Sequence, residues 1–171
     1  IKDVQLTRSG LGKAQATSVI IRCTRLLFFD SSWRNTICCL PFRKEIQSYL
    51  MLKEWWATLE PQWKKAFNEA VLGLGPIENK PTRTEMELIH NSPALRFAGP
   101  EAPHPNMTFQ LTNLSGLAGL KHIETLAVIF HPIQSLEGIG HLTQLTGLFV
   151  YHCQLSSLTG IEQLNQLELL Y

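Results

Sequence analysis

The C-terminal part of the chain, from Leu111 to Tyr171, repeats a pattern of large aliphatic residues every 22 positions. The residues that share this spacing are Ile123, Leu145 and Leu167; Leu126, Leu148 and Leu170; and the pairs Val128 and Val150, Ile133 and Leu155, Leu136 and Leu158, Ile139 and Ile161, and Leu142 and Leu164. A fixed period of this length is typical of proteins built from stacked structural repeats. It predicts an elongated core to which each period contributes one layer.

Each period combines two local patterns. Alternation over 125–129 places Leu126 and Val128 on one face and the intervening residues on the other, which predicts a β-strand. The later aliphatic residues, from Ile133 to Leu142, are three positions apart, which favours 3₁₀-like turns because side chains at i and i+3 then align. One period offers an apolar edge that it cannot bury alone, so neighbouring periods must stack.

Written as LxxLxLxxxxLxxLxxLxxLxx, this pattern resembles the leucine-rich repeat, and its period resembles the short subclass of bacterial internalins and related intracellular scaffolds. The resemblance implies an α/β solenoid, a right-handed coil with parallel strands on its concave face. The family usually carries asparagine after the strand, where its side-chain amide bridges the backbones of adjacent coils. His131 and Cys153 occupy that position here, so the asparagine ladder is either replaced or absent.

The segment 51–91 is predicted to form a helical N-terminal cap. Pro61, preceded by Glu60, suits the first turn of a helix, and a shorter helix with Trp55, Trp56 and Leu59 is expected to end before it. In the main helix we expect an apolar stripe formed by Trp63, Phe67, Ala70 and Val71. The opposite, polar side is expected to carry Lys64, Lys65, Asn68 and Glu69. A second helix is predicted over 85–90, capped by Thr84. Trp63, Phe67 and Leu88 are bulky enough to cover the otherwise exposed end of the repeats.

The repeats are predicted to span 92–171. The strand-like stretch Ala94–Phe97 matches Thr125–Val128 at a separation of 31 rather than 22 residues, which indicates a nine-residue insertion within Ala98–Gln110. Proline and glycine in this insertion favour a surface loop. The chain begins with Ile1 and Tyr171 follows directly on a predicted strand, so we expect a fragment whose repeats are truncated at the C-terminus.

Residues 1–50 show no sustained period and carry eight basic residues against Asp3, Asp30 and Glu45. The first methionine is Met51, so one hypothesis is that 1–50 is an extension upstream of the true start. The alternative is a genuine helical lead-in from about Arg43.

Charge and cysteine content limit the possible settings. A formal net charge of +1 gives no general electrostatic case for nucleic acid or an anionic membrane as partner. The run 18–29 is interrupted by Arg22 and Arg25 and is too short to span a bilayer. The adjacent Cys38 and Cys39 do not suggest a disulfide framework, which favours reduced thiols and a cytoplasmic location.

The sequence predicts no catalytic, cofactor-binding or metal site. The glycine-rich stretch 9–13 lacks the outer glycine and the Ser or Thr of a phosphate-binding loop, since Thr7 and Ala14 stand in those places. Of His131, His152 and Cys153, only His131 and Cys153 share a repeat position, so convergence on a metal ion is not expected. No serine lies in a GxSxG elbow.

We therefore predict a non-catalytic module that binds a protein partner on the concave face. The face is unusually apolar and aromatic, a composition typical of interface hot spots, and its expected residues are Thr125, Ala127, Ile129, Phe149, Tyr151, Leu169 and Tyr171. One alternative is the substrate-recognition part of a larger enzyme or effector with its catalytic domain beyond Tyr171. Another is a surface adhesin of internalin type. Nucleic-acid binding by 1–50 is a weaker third, because its basic residues form no organised face.

Overall fold

The computed structural model describes residues 40–171, with side chains from Glu45 onward. Its helices are α1 (Leu40–Thr58), α2 (Pro61–Ala66), which continues as a π-helical turn (Phe67–Val71), and α3 (Arg83–Asn91). The strands are β1 (Ala94–Ala98), β2 (Thr125–Ile129), β3 (Gly147–Phe149) and β4 (Leu169–Leu170), with a 3₁₀ turn at Ser115–Leu117. The glycine-rich stretch 9–13, the apolar run 18–29 and Cys23, Cys38 and Cys39 lie outside the described residues.

The strands form one parallel sheet in chain order, β1-β2-β3-β4. Leu126 pairs with Leu148, and Leu148 pairs with Leu170, so the register of the sheet equals the 22-residue period. Leu95 pairs with Leu126, which confirms that the first strand is displaced by 31 residues and that the insertion lies between β1 and β2.

The segments that connect the strands turn every three residues. In the connection after β2, the N–H of Leu142 donates to the carbonyl of Ile139 (2.8 Å) and that of Leu145 donates to Leu142 (3.0 Å). The same i to i+3 bonds recur one period earlier, at 114–120, and one period later, at 158–167. The predicted 3₁₀-like turns are therefore confirmed, and a parallel bridge between Ser135 and Ser157 joins successive connections.

The aliphatic residues of the pattern form the core. Leu126 and Leu148 are fully buried, and so are the spacing-of-three residues Leu136, Ile139 and Leu142. Their counterparts Leu158 and Leu170 are 51% and 44% exposed, because no described residue packs beyond β4. Burial in this core thus depends on having a neighbour on both sides.

Helix α1 crosses Met51 without a break, so the boundary expected between residues 50 and 51 does not coincide with the end of a secondary-structure element. The helix is longer than the sequence suggested and ends at Thr58, before Pro61 as predicted. Whether residues 1–50 are an upstream extension stays a prediction.

In α2, Pro61 lies in the first turn next to Glu60 at the N-cap position, as predicted. The expected polar side is wrong at Asn68, which is fully buried. The reason is that the loop before α3 packs against this residue, and the N–H of Leu74 in that loop donates to the carbonyl of Asn68 (2.8 Å). The Asn68 amide donates to the carbonyls of Ile77 (2.7 Å) and Asn79 (2.9 Å), and thereby holds the loop before α3.

Helix α3 begins earlier than predicted, and its N-cap is Thr82 rather than Thr84. The Thr82 hydroxyl accepts from the N–H of Glu85, and the Glu85 carboxylate accepts from the N–H of Thr82, which is a complete capping box. Leu88 does not cover the repeats as expected, since it is 57% exposed and the buried residues of α3 are Met86 and Ile89.

Two tryptophans attach the helices to the segment before β2. Trp63 is fully buried against Phe67 and Phe97, and its indole N–H donates to the Asn113 side chain (3.2 Å). A Cβ atom at Gly116 would lie 2.0 Å from the Trp63 ring, so only glycine permits this approach. The indole N–H of Trp55 donates to the carbonyl of Ala118 (2.8 Å). The helices therefore pack on the first aliphatic connection at the β1 end of the sheet.

Candidate partner-binding face

One face of the sheet is buried and the other is open. Leu126, Val128 and Leu148 point into the core. We call the opposite side the outer sheet face, and it contains six of the predicted partner-binding residues: Thr125, Ala127, Phe149, Tyr151, Leu169 and Tyr171. The register aligns them in cross-strand rows. In one row Ala127 pairs with Phe149, and in the other Gly147 of β3 lies between Thr125 of β2 and Leu169 of β4.

The rows end in a pair of stacked aromatic rings. Phe149 and Tyr171 are parallel to within 5°, with ring centroids 5.4 Å apart. Backbone hydrogen bonds from Tyr171 to Leu148 (3.0 Å) and from Val150 to Tyr171 (2.8 Å) hold the two residues side by side. Tyr171 is 66% exposed and Leu169 is also exposed, whereas Phe149 is half-buried. The result is an apolar surface whose rings have fixed positions.

The seventh predicted residue, Ile129, does not belong to this surface. It is only 3% exposed, because Ala98 of β1 and Ala102 of the insertion pack on it together with Phe130. The expectation that Ile129 is open to a partner is therefore wrong, since the loop between β1 and β2 covers this end of the row.

A second aromatic cluster follows β2 and β3, and the sequence analysis identified only its member Tyr151 as a surface residue. The rings of Phe130 and His152 stack with centroids 4.2 Å apart, and Tyr151 lies edge-on to both. Phe130 (φ 60°) and His152 (φ 53°) both adopt the left-handed conformation that is uncommon for residues other than glycine. They are 22 residues apart, so the repeat period itself was a signal for this cluster.

His131 and Cys153 bond to backbone groups of the preceding 22-residue period. The N–H of Leu111 donates to His131 Nδ1 (3.1 Å), and Cys153 Sγ donates to the carbonyl of Val128 (3.3 Å). These two side chains thus make bridging bonds at the position where a bridging asparagine was expected. In the insertion, Asn106 accepts from the N–H of Ala98 and donates to the carbonyl of Arg96, both at 2.7 Å.

Burial determines the protonation of both bridging residues. Burial lowers the pKa of His131 to about 4, a shift that the nearby carbonyl of Phe97 opposes. No hydrogen bond of good geometry reaches Nε2, so Phe97 compensates for the burial only in part. Burial raises the pKa of Cys153, which the backbone of His131 opposes. At neutral pH His131 is an uncharged acceptor and Cys153 a thiol, which suits a structural role.

A cavity of about 620 Å³ lies beside the aliphatic connections rather than on the sheet. Several of its polar residues already bond to the helices: Asn113 and Ser115 donate to the Glu60 carboxylate (3.1 and 2.8 Å). These bonds, with Asn113 as the largest contributor, lower the pKa of Glu60. Part of this polar lining is thus engaged in joining the loop before α2 to the segment 112–115.

A smaller cavity of about 380 Å³ opens beside the aromatic cluster, and Glu101, Gln110, Phe130, His152 and Gln154 are among its lining residues. We call it the edge cavity, because it lies where the chain leaves β2 and β3. It adds to the outer sheet face a polar pocket that the sequence analysis did not identify.

Two further observations concern the described residues. Within 40–171, no group of three or more His, Cys, Asp or Glu side chains is arranged to hold a metal ion. None of the helices in the same range combines the length and the apolar content that crossing a bilayer requires.

No family model matches the chain, and no curated protein sequence matches it.

Proposed function

We propose that this chain is a capped leucine-rich-repeat solenoid that binds a protein partner through its outer sheet face, without catalysing a reaction. The observation that carries the proposal is the stacked pair of half-buried Phe149 and exposed Tyr171, continued by Leu169 and Tyr151 on the same face. Tyrosine and phenylalanine supply large contact areas with few rotatable bonds, so a partner loses little conformational entropy on docking.

The fold supports this role in two ways. Strand pairing at the 22-residue period sets the spacing of the rings, and the buried aliphatic side chains beneath hold the strands in place. The helices pack at the β1 end and leave the outer face around β3 and β4 uncovered among the described residues. A preorganised surface of this kind reduces the entropic penalty of association.

The test replaces exposed rings of the face while leaving the core intact. We expect Tyr151→Ala with Tyr171→Ala to abolish capture of the partner from an extract, measured by affinity purification with quantitative mass spectrometry. The matched control is Leu88→Ala, which removes an equally exposed apolar side chain from α3.

Thermal unfolding of each variant separates binding from folding. Because both tyrosines are largely exposed, the melting temperature should stay within a few degrees of that of the unaltered protein. Partner capture that survives the double substitution, or that Leu88→Ala impairs as strongly, would rule out the outer sheet face as the binding site.

A further inference from the structure

We infer that the edge cavity receives an arginine side chain of the protein partner that lies on the outer sheet face. The inference rests on the proposed function and adds to it the chemistry of the partner. It follows from three features: the continuity of the cavity with the sheet face, its charge, and the aromatic rings that line it.

The cavity and the sheet face form one surface. Tyr151, on the outer sheet face, contacts Phe130 and His152 edge-on, with centroids 6.3 and 5.7 Å apart. Phe130 and His152 in turn line the cavity. A segment that packs on Tyr151 therefore has the cavity within reach of its next side chain.

The charge of the site favours a cation. Glu101 is the one carboxylate among the residues that line the cavity, and no lysine or arginine lines it. Within residues 40–171, the salt bridges are Lys65 with Glu78 and Arg83 with Glu87, so Glu101 makes none there. The surrounding chain also carries a net negative charge, since 93–171 contains two basic residues against five glutamates.

Arginine fits the lining better than lysine. A guanidinium group is planar and can pack against aromatic side chains, and the stacked rings of Phe130 and His152 are among the lining residues. Its five N–H donors form a fork that matches a carboxylate, here Glu101. The side-chain amides of Gln110 and Gln154 line the same cavity and add oxygen acceptors. A volume of about 380 Å³ is at the small end of ligand sites, which is appropriate for a single side chain.

The experiment is an NMR titration of the ¹⁵N-labelled full chain with blocked tripeptides. The probes are acetyl-Trp-Gly-Arg-amide and acetyl-Trp-Gly-Gln-amide. They share tryptophan and glycine and differ only in the third residue, which is charged arginine in one and neutral glutamine in the other. We expect saturable amide shifts at Phe130, Tyr151, His152 and Gln154, with the arginine peptide binding about fivefold more tightly, as one partly exposed charge-assisted contact provides.

Two variants locate the charge effect. Glu101→Gln should bring the two peptides to nearly equal affinity. Glu124→Gln is the matched control and should preserve the preference. This exposed glutamate directly precedes β2, so it lies at the N-terminal end of the strands, whereas the cavity lies at their C-terminal end.

Equal affinity of both peptides for the unaltered protein, or a preference that survives Glu101→Gln, would overturn the inference. So would spermidine saturating the same shifts at lower concentration than the arginine peptide, because the site would then bind a free polyamine. These results leave the proposed function standing, since that is tested separately by partner capture with the tyrosine variants.

Discussion

At the scale of single residues, His131 makes a bridging hydrogen bond at a repeat position where an asparagine was expected. Its ring is 1% exposed and accepts a hydrogen bond from the backbone of Leu111. Protonation would place a second donor against that N–H group and a charge in an apolar interior. The neutral ring is therefore part of the fold, and its titration should affect stability.

We expect the free energy of unfolding to fall as the pH decreases from about 6.5 to about 4. In this range the unfolded chain binds a proton at His131 that the folded chain excludes, since burial lowers the folded-state pKa to about 4. The loss attributable to this residue should reach about 3 kcal/mol and then stop increasing below the folded-state pKa. Urea denaturation at a series of pH values measures it.

The comparison variant is His131→Asn. Asparagine at 131 can still accept from the N–H of Leu111 but does not titrate, so the slope in this range should largely disappear. A slope that persists in His131→Asn would show that another group is responsible.

Gly116 is the second residue whose role follows from a single distance. Gly116→Ala should lower the free energy of unfolding by about 1–3 kcal/mol, because the new methyl group would lie 2.0 Å from the Trp63 ring. Gly147→Ala is the control, since its nearest contacts would be ordinary ones at 3.5–3.7 Å. Chemical denaturation that shows equal stability for both variants would contradict the packing described here.

At the scale of elements, each helix and strand begins where local chemistry favours it. The capping box of α3 satisfies two donors with one Thr and one Glu, which explains why the helix starts two residues before the position expected from Thr84. After α2, the side-chain amide of the buried Asn68 likewise donates to two carbonyls of the following loop, those of Ile77 and Asn79. Hydrogen-bonding patterns of only a few residues thus set the ends and faces of elements.

Thr82→Ala should destabilise the protein by about 1 kcal/mol through loss of the cap. Thr84→Ala is matched to it in residue type and lies two residues further on, inside α3, where its side chain makes no capping bond, so little change is expected. Urea unfolding of both variants decides between the two caps, and a larger effect at Thr84 would restore the assignment made from sequence.

At the scale of the whole molecule, the described residues unite helices and sheet in one apolar core. Trp63 joins α2 to the first strand through Phe97 and to the aliphatic connection through Asn113. Around β3 and β4 the outer sheet face is uncovered among the described residues, because the main core lies on the other side of the strands.

Trp63→Ala should lower the free energy of unfolding by about 3–5 kcal/mol, as expected for removal of a fully buried tryptophan. Trp55→Ala should have a smaller effect, because this residue is only partly buried. If the core is shared, amide hydrogen exchange in α3 and in β3 should accelerate together in Trp63→Ala. Acceleration confined to the helices would show that the sheet is stable without them.

The sequence alone determined where the strands lie and how they pair, because aliphatic residues at a constant period can all be buried only when equivalent residues align, as Leu95, Leu126, Leu148 and Leu170 do. It also determined the 3₁₀-like turns, since their hydrogen bonds are local. Exposure of individual side chains was decided by the tertiary structure: Ile129 is covered by Ala98 and the insertion, and Asn68 is covered by the loop before α3. The edge cavity likewise exists because Glu101 and Phe130, from separate segments, meet beside the sheet. Periodicity specifies which residues are equivalent, whereas contacts between distant segments specify which of them remain accessible to a partner.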